Sequence, residues 1–82
     1  MSAPRKSPKP IEAIHASFGL AVRRIREALG INQGDLAKRV GLTRTSVVNI
    51  EAGRQRVILD DVESFARALG TTPKHLLKGI WW

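Results

Sequence analysis

The sequence predicts an all-α protein of five short helices, and three observations carry this prediction. Apolar residues recur at steps of three and four positions, the periodicity of a helix that buries one face. Glycines separate these periodic segments where helices would end, and no stretch alternates apolar and polar residues like a half-buried strand. Since the 82 residues include no cysteine, a single domain must be stabilised by an apolar core or by a partner.

The first predicted helix follows a segment that has almost nothing to bury. Residues 1–11 contain three prolines and three basic residues, which predicts a disordered basic arm ahead of a domain of residues 12–79. Gly30 is expected to end the helix in a left-handed conformation. The apolar stripe of this helix consists of Ile14, Phe18, Val22, Ile25 and Leu29.

The next two predicted helices are brief and lie on either side of Gly41. Asn32 is suited to cap the second helix, with Asp35 three residues on as a short capping box. Thr43 caps the third helix, where Leu42 and Val47 form a hydrophobic staple. The buried positions of the two helices are Leu36, Ala37, Val40, Val47 and Ile50.

Two further helices complete the chain. The fourth has acidic residues in its first turn, where the helix dipole favours them, and ends at Gly70. Its buried residues are Val62, Phe65, Ala66 and Leu69. Thr72 caps the fifth helix, with Pro73 at its first position, and residues 80–82 form an apolar tail.

The spacing from Gln33 to Ala52 is that of a helix-turn-helix unit. Counted from Gln33, small or apolar residues stand at positions 4, 5, 8, 10, 15 and 18, and glycine at position 9. "IREALGINQGDLAKRVGLTRTSVVNIEAGRQ", followed by "ARALGTTPKHLL", resembles the lambda-repressor-like, or Xre/Cro, family of DNA-binding domains. The resemblance covers about Phe18 to Leu77. It implies a five-helix lambda-repressor-like fold whose third helix enters the major groove of DNA.

The third helix is expected to read bases. At about 100° per residue, Val47 and Ile50 point inward, whereas Arg44, Thr45 and Val48 form an outward stripe with Asn49 at its edge. Arg44 could read guanine, Asn49 could pair with adenine, Val48 could contact a thymine methyl group, and Thr45 could contact a base edge or a thymine methyl group. Two alternatives stay open: Arg44 binds a phosphate only, and Val48 is partly covered by the turn or by a dimer partner.

Other residues are expected to bind phosphates or to orient the third helix. Gln33 is a phosphate contact by resemblance, with a plain capping role as the alternative. The remaining predicted phosphate contacts are Thr43, Arg54 and Arg56. The family commonly pairs an arginine and a glutamate at the positions of Arg26 and Glu51, which implies a partly buried structural ion pair.

The resemblance is less close after the third helix. The family often has a proline near Val57 and a Ser or Thr cap near Ile58. Both positions hold β-branched apolar residues here. The loop and the start of the fourth helix are therefore the segments where a different placement is expected.

The charge distribution favours a polyanionic partner. The net charge is +7, and all of this excess falls within Met1 to Arg56, whereas Val57 to Trp82 is neutral. Double-stranded DNA is the expected partner, with solubility alone as the alternative explanation. No catalytic or metal site is expected, because His15 and His75 lie far apart in the chain without cysteine. No cofactor, membrane span or signal peptide is expected, which predicts an intracellular protein. The resemblance implies a cytoplasmic, nucleoid-associated protein of a prokaryotic cell.

These features together predict a transcriptional regulator, a repressor or controller, that binds an inverted-repeat operator as a homodimer. Ile80, Trp81 and Trp82 are expected to form the dimer interface, with folding back over the first and fifth helices as the alternative. Two alternative functions stay open. One is an antitoxin-like module with a toxin or polymerase as protein partner, and the other is a nonspecific architectural DNA binder.

Overall fold

The computed structural model describes residues 11–78 and consists of five α-helices in that part of the chain. The predicted basic arm, except for Ile11, and the predicted tail interface of Ile80, Trp81 and Trp82 lie outside the described residues. The helices are α1 (Ile11–Ala28), α2 (Gln33–Val40), α3 (Arg44–Glu51), α4 (Leu59–Ala68) and α5 (Pro73–Leu76). The five-helix prediction is confirmed, and α1 begins at Ile11, one residue earlier than the predicted domain start.

The helix ends follow the predicted local chemistry. The side chains of Asn32, Thr43 and Thr72 accept hydrogen bonds from backbone N–H groups in the first turns of α2, α3 and α5. Gly41 has φ 73°, the left-handed conformation that glycine adopts without steric cost. This residue turns the chain between α2 and α3, so the two helices pack on each other directly.

The core lies where the five helices meet, and each helix contributes at least one buried apolar residue. Phe18 of α1 and Phe65 of α4 contact edge to face, with ring centroids 5.8 Å apart. Around them lie Val22, Leu36, Ala37, Val47, Ile50, Val62, Ala66, Leu69 and Leu76, all buried. α3 packs between α1 and α2, α4 packs on α2, and α5 contacts α4 and α1.

The prediction for Leu29 was wrong. It was placed in the buried stripe of α1, but it lies in the turn after the helix and is 52% exposed. Because the chain turns at Gly30, Ile31 packs against the core instead. No helix within residues 11–78 is long and apolar enough to cross a membrane.

Candidate nucleic-acid interface

α3 presents a polar outer face over an apolar inner one. Val47 and Ile50 are completely buried, and Glu51 is also buried. Arg44 and Thr45, at the start of the helix, are exposed. Because the first turn contains no acidic residue, its positive dipole end is not neutralised by a nearby carboxylate. This end of α3 therefore offers an electropositive surface to solvent.

Val48 and its neighbour Asn49 are half-buried. Val48 forms part of the wall of an open cleft of about 370 Å³ between α3, α1 and the start of α2. Arg23, Gln33 and Ala52 also line this cleft. Val48 is thus partly accessible to solvent, and it lines this cleft.

An ion-pair network joins α3 to the preceding helices. Arg26 Nε donates to Glu51 Oε2 at 2.6 Å, and Arg26 Nη2 donates to Glu51 Oε1 at 2.9 Å. Arg26 Nη1 donates to the carbonyl oxygen of Ile31 at 2.9 Å, and Gln33 Nε2 donates to Glu51 Oε1 at 3.0 Å. The structure therefore brings together the predicted pair and adds two partners from the α1–α2 turn and the start of α2.

The network is charged, and its buried polar atoms have hydrogen-bond partners. The hydrogen bond to Glu51 raises the pKa of the Arg26 guanidinium, and this effect exceeds the opposing desolvation. Among the side chains that the structure describes, no buried nitrogen or oxygen atom lacks a hydrogen-bond partner. A satisfied bidentate pair fixes distance and angle together, so α3 is held in one orientation relative to α1.

Gly19 is a positioning residue that the sequence analysis did not identify. A Cβ atom on Gly19 would lie 2.0 Å from the carbonyl oxygen of Ile50 and 2.9 Å from that of Glu51. Only glycine permits α1 to approach the end of α3 this closely. A glycine in the interior of the first predicted helix was the available signal, but the sequence did not indicate which backbone it would contact.

The segment after α3 is anchored by a contact that was also missed. The backbone N–H of Val57 donates to His15 Nδ1 at 3.3 Å. A proline, which the family often has near this position, has no N–H to donate. His15 is half-buried and ties the loop to α1.

The predicted phosphate contacts surround α3. Arg54 and Arg56 are exposed in the loop that follows the helix, and Thr43 is exposed at its N-cap. Thr43 Oγ1 accepts a hydrogen bond from the Ser46 N–H at 3.0 Å, so its hydroxyl hydrogen is still available to a phosphate oxygen. Arg54 Nη2 donates to Asn49 Oδ1 over a long 3.4 Å, which links one predicted phosphate contact to one predicted base contact.

The charge of the surface around α3 depends on its one acidic residue, which is paired. Leu42 to Leu59 contains three arginines and one carboxylate, that of Glu51. Because Arg26 neutralises that carboxylate, Arg44, Arg54 and Arg56 determine the sign of the surface. The face is therefore positive, as a surface that meets phosphates requires.

A rigid two-helix unit with an outward second helix, positive surroundings and a buried orienting pair defines a helix-turn-helix DNA-binding domain. The chain belongs to this family: residues 17–77 match the family described as "Helix-turn-helix domain", and the fold is of the lambda-repressor-like, or Xre, type.

Three relatives illustrate the similarity. The control protein C.BamHI of Bacillus amyloliquefaciens is 42% identical over 65 residues, which cover 78% of this chain and 80% of that protein. The restriction-modification controller protein C.AhdI from Aeromonas hydrophila has a TM-score of 0.75 and 36% identity, covering 78% of this chain and 97% of that chain. The P22 c2 repressor, solved in complex with a synthetic operator, has a TM-score of 0.70 and 29% identity. The match covers 76% of this chain and 94% of that chain.

Proposed function

We propose that the protein is a sequence-specific transcriptional regulator that binds an inverted-repeat operator as a homodimer, with α3 in the major groove. The observation that carries the proposal is the outer face of α3. It combines an arginine and a threonine that are exposed with a valine and an asparagine that are half-buried. The similarity to controller proteins and to an operator-bound repressor supports this assignment.

The proposed role of each residue follows from the exposure and the chemistry of its side chain. Arg44, Thr45, Val48 and Asn49 contact base edges, where guanidinium, amide and methyl groups distinguish base pairs. Gln33, Thr43, Arg54 and Arg56 contact phosphates and set the register of the helix on the duplex. The methyl groups of Val48, which line the open cleft, meet a thymine methyl when DNA closes that cleft.

Regulation in this proposal comes from promoter occupancy. A bound dimer blocks polymerase at one operator position and could assist it at another, so the sign depends on where the operator lies. The half-site centres of a two-fold operator lie about 34 Å apart, one turn of the double helix. Phosphate contacts alone would instead produce an architectural binder with no preferred sequence.

Selection of bound duplexes from a random-sequence pool at near-physiological salt tests the proposal. We expect enrichment of an inverted repeat with half-site centres about 10 base pairs apart. A matched selection with Thr45→Ala, which removes an exposed side chain of the outer stripe, should relax the preference at one position of each half-site. Retention of DNA with no enriched sequence would refute base reading and favour the architectural function.

A further inference from the structure

Arg23 forms part of the α1 wall of the open cleft beside α3. The cleft is also lined by Gln33 and Val48, to which the proposed function assigns phosphate and base contacts. Arg26 and Glu51 line it too, but their charges neutralise each other through two hydrogen bonds. Arg23 is therefore the residue that gives the cleft its net positive charge, on the side of the domain where α3 would meet DNA.

The guanidinium of Arg23 is held by a single exposed contact. Its Nε donates to Glu27 Oε2 at 3.3 Å, and the two side chains are 58% and 54% exposed. In the part of the chain that the structure describes, this is the one hydrogen bond of the Arg23 side chain, whereas the Arg26 side chain makes three. An exposed pair joined by one long bond is weak, so a phosphate group can displace the carboxylate from Arg23.

Glu27 is poorly placed to stabilise α1. It lies in the last turn of the helix, where the negative end of the helix dipole disfavours a carboxylate. It also follows its arginine by four positions, which is the weaker order for a helical ion pair. On α4, Glu63 precedes Arg67, which is the stronger order. Helix stability therefore accounts for the α4 pair better than for Glu27, whose remaining effect is to occupy Arg23.

We propose that Arg23 binds a DNA phosphate at the α1 wall of the cleft and that Glu27 competes with this phosphate for the same guanidinium. This inference rests on the proposed function, because the cleft meets DNA only when α3 is the reading helix. In the free protein Arg23 pairs with Glu27, and on the duplex it exchanges the carboxylate for phosphate oxygens, which can accept two parallel hydrogen bonds from an arginine. Glu27 thereby lowers the affinity for every duplex, since phosphates carry no sequence information. The pair thus raises the protein concentration at which an operator is filled.

Titrations of the full chain with the selected operator and with random-sequence duplex, at several salt concentrations, test the proposal. Arg23→Ala should weaken binding to both duplexes at least about fivefold and reduce the slope of log affinity against log salt by about 0.9. Glu27→Gln should strengthen binding to both about two- to fivefold, because the competitor for Arg23 is removed. This gain should shrink as salt rises, since salt screens an exposed carboxylate. In the Arg23→Ala background, Glu27→Gln should lose most of its effect, because the competition acts through Arg23.

The pair on α4 provides matched controls. Arg67→Ala and Glu63→Gln remove the same charges from an exposed pair of the same spacing that does not line the cleft, so they measure the general effect of net charge. The urea midpoint of Glu27→Gln should equal or exceed that of the wild type, which separates the gain in affinity from any loss of folding. The proposal is overturned, with the proposed function intact, if Arg23→Ala and Arg67→Ala weaken binding equally, or if Glu27→Gln strengthens binding as much without Arg23 as with it. A wild-type chain that binds no duplex would overturn both.

Discussion

Arg26 and Glu51, which are 25 residues apart in the chain, meet through two hydrogen bonds of 2.6 and 2.9 Å. The arginine side chain is 11% exposed and the glutamate side chain 3%. The pair connects the last turn of α1 to the last residue of α3, and it lies beside the cleft that the outer face of α3 borders. The orientation of the proposed reading helix therefore depends on a buried charge pair as well as on apolar packing.

Breaking this pair should be costly. We expect Glu51→Ala to lower the free energy of unfolding by about 3–5 kcal/mol, because the guanidinium of Arg26 would stay buried without its carboxylate. Urea unfolding measures the change. The exposed pair of Glu63 and Arg67 provides a matched control, and Glu63→Ala should change stability by less than about 0.5 kcal/mol. Equal losses in the two variants would show that burial does not set the strength of the Arg26 pair.

The close approach of α1 to α3 should not tolerate one added methyl group. We expect Gly19→Ala to destabilise the protein by about 2–3 kcal/mol, since its Cβ would overlap the carbonyl oxygen of Ile50. Gly34→Ala is the control, because its Cβ would meet side chains and no backbone, Asn32 Oδ1 at 3.3 Å and Arg44 Cδ at 3.9 Å. Urea unfolding of both variants decides the point. A loss at Gly34 as large as that at Gly19 would contradict the packing argument.

The two adjacent valines of α3 should respond differently to the same truncation. Val48→Ala should weaken binding to the selected operator by about 1 kcal/mol and leave random DNA unaffected, because a methyl contact to thymine is lost. Val47→Ala should instead lower the free energy of unfolding, on the order of 2 kcal/mol, because Val47 is completely buried. Affinity titrations on both duplexes and urea unfolding measure the two effects. If Val48→Ala weakened both DNAs equally, Val48 would not read sequence.

Arg54 should act on the phosphate backbone. We expect Arg54→Ala to weaken operator and random DNA alike and to reduce the slope of log affinity against log salt by about 0.9. Titrations at several salt concentrations provide this slope. Lys74→Ala, at an exposed lysine of α5, should leave the slope unchanged. A change at Lys74 equal to that at Arg54 would mean that the duplex contacts α5 as well.

Local sequence signals determined most of the secondary structure, because caps and glycines act over a few residues. Asn32, Thr43 and Thr72 occupy the predicted caps, and Gly30 has the predicted left-handed conformation. The period of α3 also placed Val47 on the inner face and Arg44 on the outer one, since helical geometry fixes these directions. By itself, the sequence thus determined the number of helices, the caps of α2, α3 and α5, and which face of α3 is outward.

Only the tertiary structure determined how the other helices cover and contact the outer face of α3. Val48 is half-buried because a cleft forms from residues of three helices, and no local pattern of α3 contains that information. Gln33 reaches Glu51 across 18 positions, and Val57 reaches His15 across 42. Such contacts depend on how helices pack, which is set by the shape of the whole core. The sequence determined the parts of the candidate site, and packing determined their distances, their accessibility and the orientation of α3.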